Sequence, residues 1–180
     1  MDNGESSYRR FLDGDESAFR EIVDMHSENL IFFINRYVNN IPVAQELSED
    51  VFVEILIHKR RYNFKTSLKT YLFAIGHNKA VSYVRRCARR PEYAYEYIEN
   101  EADRKNLEDE FIRKEQEREL HQALGRLKSE YRTVLHLVYF ENMSNEEAGS
   151  VMKKNRKQIE NLLYRAKQAL RKELECEVKR

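Results

Sequence analysis

The residues with the most chemistry to offer lie near the C-terminus, and they suit hydrogen bonding to nucleic acid rather than bond breaking. Lys157, Glu160, Asn161, Tyr164, Arg165 and Gln168 recur along one stretch at helical spacing. Arg can donate to guanine, Asn can pair with adenine and Glu can accept from cytosine N4, so such a row can read base edges in a major groove. Lys154, Arg156 and Lys157 would lie near phosphates at the start of the row and fix its register. The plainer reading is an amphipathic helix with a solvated basic face. Catalytic patterns are lacking. No G-x-x-x-x-G-K-[ST], G-x-G-x-x-G or G-x-S-x-G segment occurs, so nucleotide binding and hydrolysis have no support. His26, His58, His77, His121 and His136 show no metal-ligand spacing, and Cys87 and Cys176 form no CxxC pair. The expectation is a non-enzyme with no metal or cofactor and with two reduced thiols in a cytoplasm.

The elements that must position this row can be read from the same stretch. Ser144-Asn145-Glu146-Glu147 has the form of a capping box, in which Ser144 accepts from the backbone three residues on and Glu147 reaches back. A short helix with Ala148, Val151 and Met152 follows, and Ala148-Gly149 offers small side chains where a second helix can cross closely. After the polar turn Lys153-Lys154-Asn155, the residues Ile159, Leu162, Leu163, Ala166, Leu170 and Leu174 form a stripe roughly 120° wide at ~100° per residue. This is helix–turn–helix arithmetic, with the second helix presented to a groove. Leu120, Leu124 and Leu127, then Tyr131, Val134, Leu135 and Val138, supply the helices before it.

The N-terminal half is also helical. Ala18, Phe19, Ile22, Val23, Leu30, Phe33, Ile34 and Tyr37 predict a helix over 15–40. Pro42 suits the first turn of a second helix carrying Val51, Phe52, Ile55 and Leu56 and ending near Arg60. A polar-aromatic loop, Tyr62-Asn63-Phe64-Lys65-Thr66, precedes Ser67, which can cap a third helix toward Arg90. That helix is apolar nearly all round at Leu68, Tyr71, Leu72, Phe73 and Ile75, then basic and polar beyond Gly76.

Composition agrees with helices. The 180 residues are 35% charged and 41% hydrophobic, and five Gly and two Pro leave too few turn residues for a strand-rich fold. Mean hydropathy is −0.80, and no apolar run approaches the ~18 residues of a membrane span. The start lacks an apolar signal core, so secretion and membrane insertion are not expected. The formal charge of +1 conceals alternation: residues 1–50 carry −7, 51–90 carry +9, 91–125 carry −6 and 126–180 carry +5. Two basic blocks separated by an acidic one suggest two surfaces for a polyanion. The acidic, Tyr-rich stretch 91–115 reads as a linker between two helical domains.

Tyr131-Arg132-Thr133-Val134-Leu135, Tyr139-Phe140-Glu141, Met143 to Ala148, Leu163 to Lys167 and Leu170-Arg171 resemble the C-terminal domain of bacterial extracytoplasmic-function (ECF) sigma factors. Glu16-Ser17-Ala18-Phe19 resembles that family's opening helix, Ser48 to Glu54 its polymerase-binding segment, and Thr70 to Lys79 its promoter-melting segment. The resemblance spans roughly residues 8–175 in the family's order. It implies an all-α chain of two small domains, sigma domain 2 over 8–90 and the helix–turn–helix sigma domain 4 over 116–176, joined by the acidic linker 91–115. It further implies a subunit that binds core RNA polymerase and directs it to promoter DNA, with an anti-sigma factor as a further partner. By that analogy Glu49, Asp50 and Glu54 dock on the polymerase. Tyr62, Asn63, Phe64, Lys65, Lys69, Asn78, Lys79, Ser82, Arg85 and Arg86 would hold the −10 element, where a basic groove and loop aromatics suit an unstacked strand. Lys154, Arg156, Lys157, Glu160, Asn161, Tyr164 and Arg165 would read the −35 element. The chain departs from the family in having no Trp near Tyr71, Val53 in place of a usual Gln, Lys153 where Gly is common, and Glu160 where a basic residue is common. The rival reading is a dimeric helix–turn–helix regulator acting without polymerase; a helical adaptor that binds no DNA is a second.

Overall fold

The computed structural model describes residues 4–89, 120 and 122–177, and among these every regular element is helical. The proposed linker 91–115 lies outside the described residues, as do His121 and the side chain of Cys176.

The first helix, α1 (Glu5–Leu12), is not anticipated by the sequence reading. It is short, and only Tyr8, Phe11 and Ser7 are buried on it, so its apolar periodicity is too brief to stand out. Tyr8 nevertheless anchors the domain, donating its hydroxyl to the Lys59 carbonyl at 2.8 Å. Helix α2 (Glu16–Val38) starts where the Asp15 carboxylate accepts from the Ser17 and Ala18 backbones, and ends at Asn39 in the left-handed region. Helix α3 (Ile41–Ile57) is capped by Asn40 with Pro in its first turn. A 3-10 turn, Lys59–Arg61, leads into the loop. Helix α4 (Leu68–Arg89) begins as expected at Ser67, whose hydroxyl accepts from the Thr70 N–H at 3.2 Å.

Helices α2, α3 and α4 enclose Leu30, Phe33, Ile34, Val51, Phe52, Leu72 and Phe73. Gly76 permits α2 and α4 to close, because a Cβ there would lie 2.9 Å from Leu30 Cδ1.

Residues 122–126 are helical, and α5 (Ser129–Leu135) follows. It runs into a π-helical turn, His136–Phe140, that the periodicity did not signal. Helix α6 (Asn145–Met152) carries the full capping box, and α7 (Arg156–Glu177) completes the second unit. Gly149 makes the α6–α7 turn: an added Cβ would meet the Lys154 carbonyl oxygen at 2.5 Å. Ala148, Val151, Met152, Ile159, Leu163 and Ala166 are buried between these helices. The two units also touch, with α6 against α4 and α5 against α2, so one apolar cluster continues through both.

Candidate nucleic-acid interface

The start of α7 is more tightly built than its sequence suggested. Asn155 Oδ1 accepts from the Gln158 N–H at 2.8 Å, and Gln158 Oε1 accepts from the Asn155 N–H at 2.9 Å. This reciprocal cap fixes the helix end and directs its positive dipole outward. Lys153 takes the left-handed turn position itself, at φ 55°. A non-glycine residue thus occupies the left-handed turn position. Beyond the cap, Ile159, Leu163 and Ala166 face the core, while Lys157, Glu160, Asn161, Tyr164 and Arg165 are all exposed. Tyr164 is 68% exposed although it is aromatic. Arg156 is held by Glu160 and Glu146, each at 2.8 Å, and Lys154 by Glu130 at 3.3 Å.

In the other unit, the loop candidates divide. Tyr62 is 4% exposed, donates its hydroxyl to the Thr66 carbonyl at 2.7 Å, and packs on Tyr8, Phe64 and Tyr71. Burial pushes its hydroxyl pKa well up, with Glu5 adding to the shift. Tyr62 thus shapes the loop from inside rather than offering its ring. Phe64 stands at φ 58° with the Arg9 guanidinium 4.1 Å from its ring centroid. Asn63 Oδ1 accepts from the Lys65 N–H at 3.1 Å, closing an Asx turn. Asn63 and Lys65 remain exposed.

Along α4, Asn78, Ser82 and Arg85 are exposed at successive helical turns, with Arg86 beside them. Lys79 leans the other way, reaching Glu54 at 3.1 Å and Asp50 at 4.0 Å. The acidic face of α3 and the basic face of α4 are thereby joined. Lys69 is engaged deeply: its ammonium meets Glu141 Oε2 at 2.7 Å and donates to the Glu141 carbonyl at 2.9 Å.

The sequence reading missed one exposed feature of α3. Val53, Leu56 and Ile57 are 49%, 49% and 67% exposed, next to Glu49, Asp50 and Glu54. The signal is present in the sequence, since α3 is apolar on more than one face, but Leu56 groups there with the core stripe Val51, Phe52 and Ile55, and Val53 stands out only as a departure from the family's usual Gln. This places an exposed apolar strip beside a row of carboxylates on one helix.

Sigma-70 region 2 matches residues 22–90, and Sigma-70, region 4 matches residues 117–170. The chain belongs to the sigma-70 family. It is an RNA polymerase sigma factor of the ECF type, as its curated relatives agree. It is 24% identical over 172 residues to the ECF RNA polymerase sigma factor SigW of Bacillus subtilis, covering 89% of this chain and 91% of that one. It is 26% identical over 171 residues to the RNA polymerase sigma-H factor of Pseudomonas aeruginosa, covering 90% and 89%. Its fold matches CnrH, solved in complex with the cytosolic domain of CnrY, at TM-score 0.70 and 22% identity over 97% of this chain and 99% of that one. It also matches the sigma factor RpoE of Bartonella quintana, solved with the anti-sigma factor NepR, at TM-score 0.69 and 20% identity over 87% and 96%. No helix among the described residues is long and apolar enough to cross a membrane.

Proposed function

We propose that this sigma factor divides promoter recognition between two separate surfaces. Sigma domain 4, over 116–176, reads the −35 element as duplex through α7. Arg165, Asn161 and Glu160 meet base edges there, and Lys154, Arg156, Lys157 and Tyr164 contact the backbone around them. Sigma domain 2, over 8–90, holds the opened −10 strand. Asn63, Phe64 and Lys65 form the loop edge, with Tyr62 supporting it from beneath, and Asn78, Ser82, Arg85 and Arg86 line the path along α4. Lys69 and Lys79 join this surface once released from their carboxylates.

Glu49, Asp50 and Glu54, with the apolar strip Val53, Leu56 and Ile57, dock on core polymerase. An anti-sigma factor is a further partner, a reading supported by the complexes in which CnrH and RpoE were solved. The protein works in the cytoplasm and catalyses no reaction of its own; binding of single strands and of polymerase supplies the energy that opens DNA. The carrying observation is the row Lys157, Glu160, Asn161, Tyr164 and Arg165, exposed on a helix whose start is doubly capped. Transcription in vitro with core polymerase and a randomised promoter library tests the reading. Selected promoters with two conserved blocks support it, and selection of a palindrome bound by a polymerase-free dimer rejects it.

A further inference from the structure

Helix α1 reaches the loop proposed for the −10 strand. The Arg9 guanidinium carbon lies 4.1 Å from the Phe64 ring centroid, and Arg9 is exposed. The next residue, Arg10, is engaged by Asp15 and Glu21. Arg9 has no ion-pair partner among the described residues. Its planar fork of N–H donors is therefore uncommitted at the edge of the loop.

The loop beneath it is held under strain. Phe64 stands at φ 58°, a left-handed conformation that a bulky side chain rarely adopts. Hydrogen bonds bracket it: Asn63 Oδ1 accepts from the Lys65 N–H at 3.1 Å, and the Tyr62 hydroxyl donates to the Thr66 carbonyl at 2.7 Å. The Phe64 ring meets Tyr8 edge-on with centroids 6.0 Å apart and leans on Tyr62 at 4.6 Å. Tyr8 is fully buried, and its hydroxyl donates to the Lys59 carbonyl. Helix α1 thus fastens the loop from beneath through Tyr8 and covers it from outside through Arg9. Tyr8 and Tyr62 spend their rings on the protein, so the flat surface left for a ligand is the outward side of the Arg9 guanidinium. Bases out of the helix stack on guanidinium planes as they do on aromatic rings, and backbone strain gathers where it sets up such a binding geometry.

We propose that Arg9 is the outer layer of a base-stacking platform, on which one unstacked base of the −10 strand lies with the Phe64 ring behind the guanidinium. The charge of Arg9 attracts the strand's phosphates, and its plane serves a single nucleotide position. Helix α1 thereby joins the strand-binding surface. The inference rests on the proposed role of the 62–66 loop in strand binding.

The test uses the chain assembled with core polymerase. The probe is a fluorescent single-stranded oligonucleotide carrying the non-template −10 block of a promoter selected from a randomised library, with an abasic site placed at each position in turn. In the unsubstituted protein, removing one base of the block should cost about 10-fold in affinity, as loss of a base stack requires. Arg9→Ala should bind the intact strand about 10-fold more weakly and no longer distinguish that position from an abasic one. Arg9→Lys keeps the charge and a cation against Phe64 but loses the plane. It should restore the salt dependence of binding without restoring sensitivity to the abasic site. Arg9→Lys regaining that sensitivity would show that Arg9 only props Phe64, which overturns the platform. Full sensitivity retained in Arg9→Ala, or a flat abasic scan in the unsubstituted protein, overturns it as well. Thermal unfolding of both variants should be unchanged, because Arg9 is exposed. The strand-binding reading is judged separately with Lys65→Ala plus Arg85→Ala, which leaves Arg9 and Phe64 intact. If that variant binds the strand undiminished, the strand surface lies elsewhere.

Discussion

Lys79 Nζ lies 3.1 Å from Glu54 Oε2, so one ion pair connects the face proposed for polymerase with the face proposed for DNA. The Glu54 side chain is 36% exposed, and Asp50 beside it is 63% exposed. A pair this wet contributes no more than about 1 kcal/mol to folding. Its effect is positional, because it fixes both side chains where the acidic face of α3 meets the basic face of α4.

Asp50→Lys therefore should leave thermal unfolding nearly unchanged while weakening association with core polymerase. Leu56→Asp should act likewise through the apolar strip, since Leu56 is half exposed and its loss empties no core site. Co-elution with core enzyme measures both. Undiminished co-elution would remove α3 from the docking surface.

Arg165→Ala should relax preference at one position of the −35 element by roughly 1–3 kcal/mol, the range for a lost base contact. Lys157→Ala should instead weaken all sequences alike and flatten the salt dependence of binding. A promoter library scored for each variant separates the two outcomes.

Gly149→Ala should destabilise the C-terminal unit. A helical Gly-to-Ala change ordinarily gains up to about 1 kcal/mol. Here the new methyl would stand 2.5 Å from the Lys154 carbonyl oxygen, a backbone atom that cannot swing aside. Overpacking of this kind costs about 1–3 kcal/mol, so the net sign is a loss. A lowered thermal midpoint with impaired −35 binding is the expected result.

Acidification should loosen the contact between the domains in two stages. Burial pushes the His136 imidazole below its ordinary 6.5, Arg36 and Lys69 add to that, and Glu141 opposes it. The packed state thus prefers neutral His136, whose contribution is complete above pH 6.5 and is lost as the pH falls toward the lowered pKa. Burial works against the charges of Glu141 and Glu147, but their hydrogen bonds hold both below the ordinary 4.5. Their contributions are lost only at pH values under 4.5. Scattering across a pH series measures the expansion, and His136→Phe should remove the first stage.

Much of the fold was legible because its signals are local. Ser67 and Ser144 announce helix starts by their side-chain chemistry, and Pro42 marks the first turn of α3; the caps at Asp15 and Asn40 emerge only in the structure, since the periodicity runs the helix over 15–40. The exposed row of α7 was equally legible, since Ile159, Leu163 and Ala166 fix which face is buried. What escaped was decided by distant partners. Tyr62 looks like a loop aromatic in sequence, and only the approach of Tyr8 and Tyr71 makes it core. Lys69 looks free until Glu141, 72 residues on, meets it. Glu147 was recognised as a cap from its spacing, but nothing local indicates that its second oxygen binds Ser67 and Thr70. Helix α1 is too short for periodicity to separate it from a loop.

The most direct test of a promoter reader with two surfaces is transcription by reconstituted enzyme. Sigma-free core polymerase plus this chain should yield transcripts with a defined start site, from templates carrying both a −35 and a −10 block. Arg165→Ala should shift preference only in the first block, and Asn63→Ala only in the second. Start-site-specific transcripts absent from every template, or both substitutions altering the same block, would contradict the account.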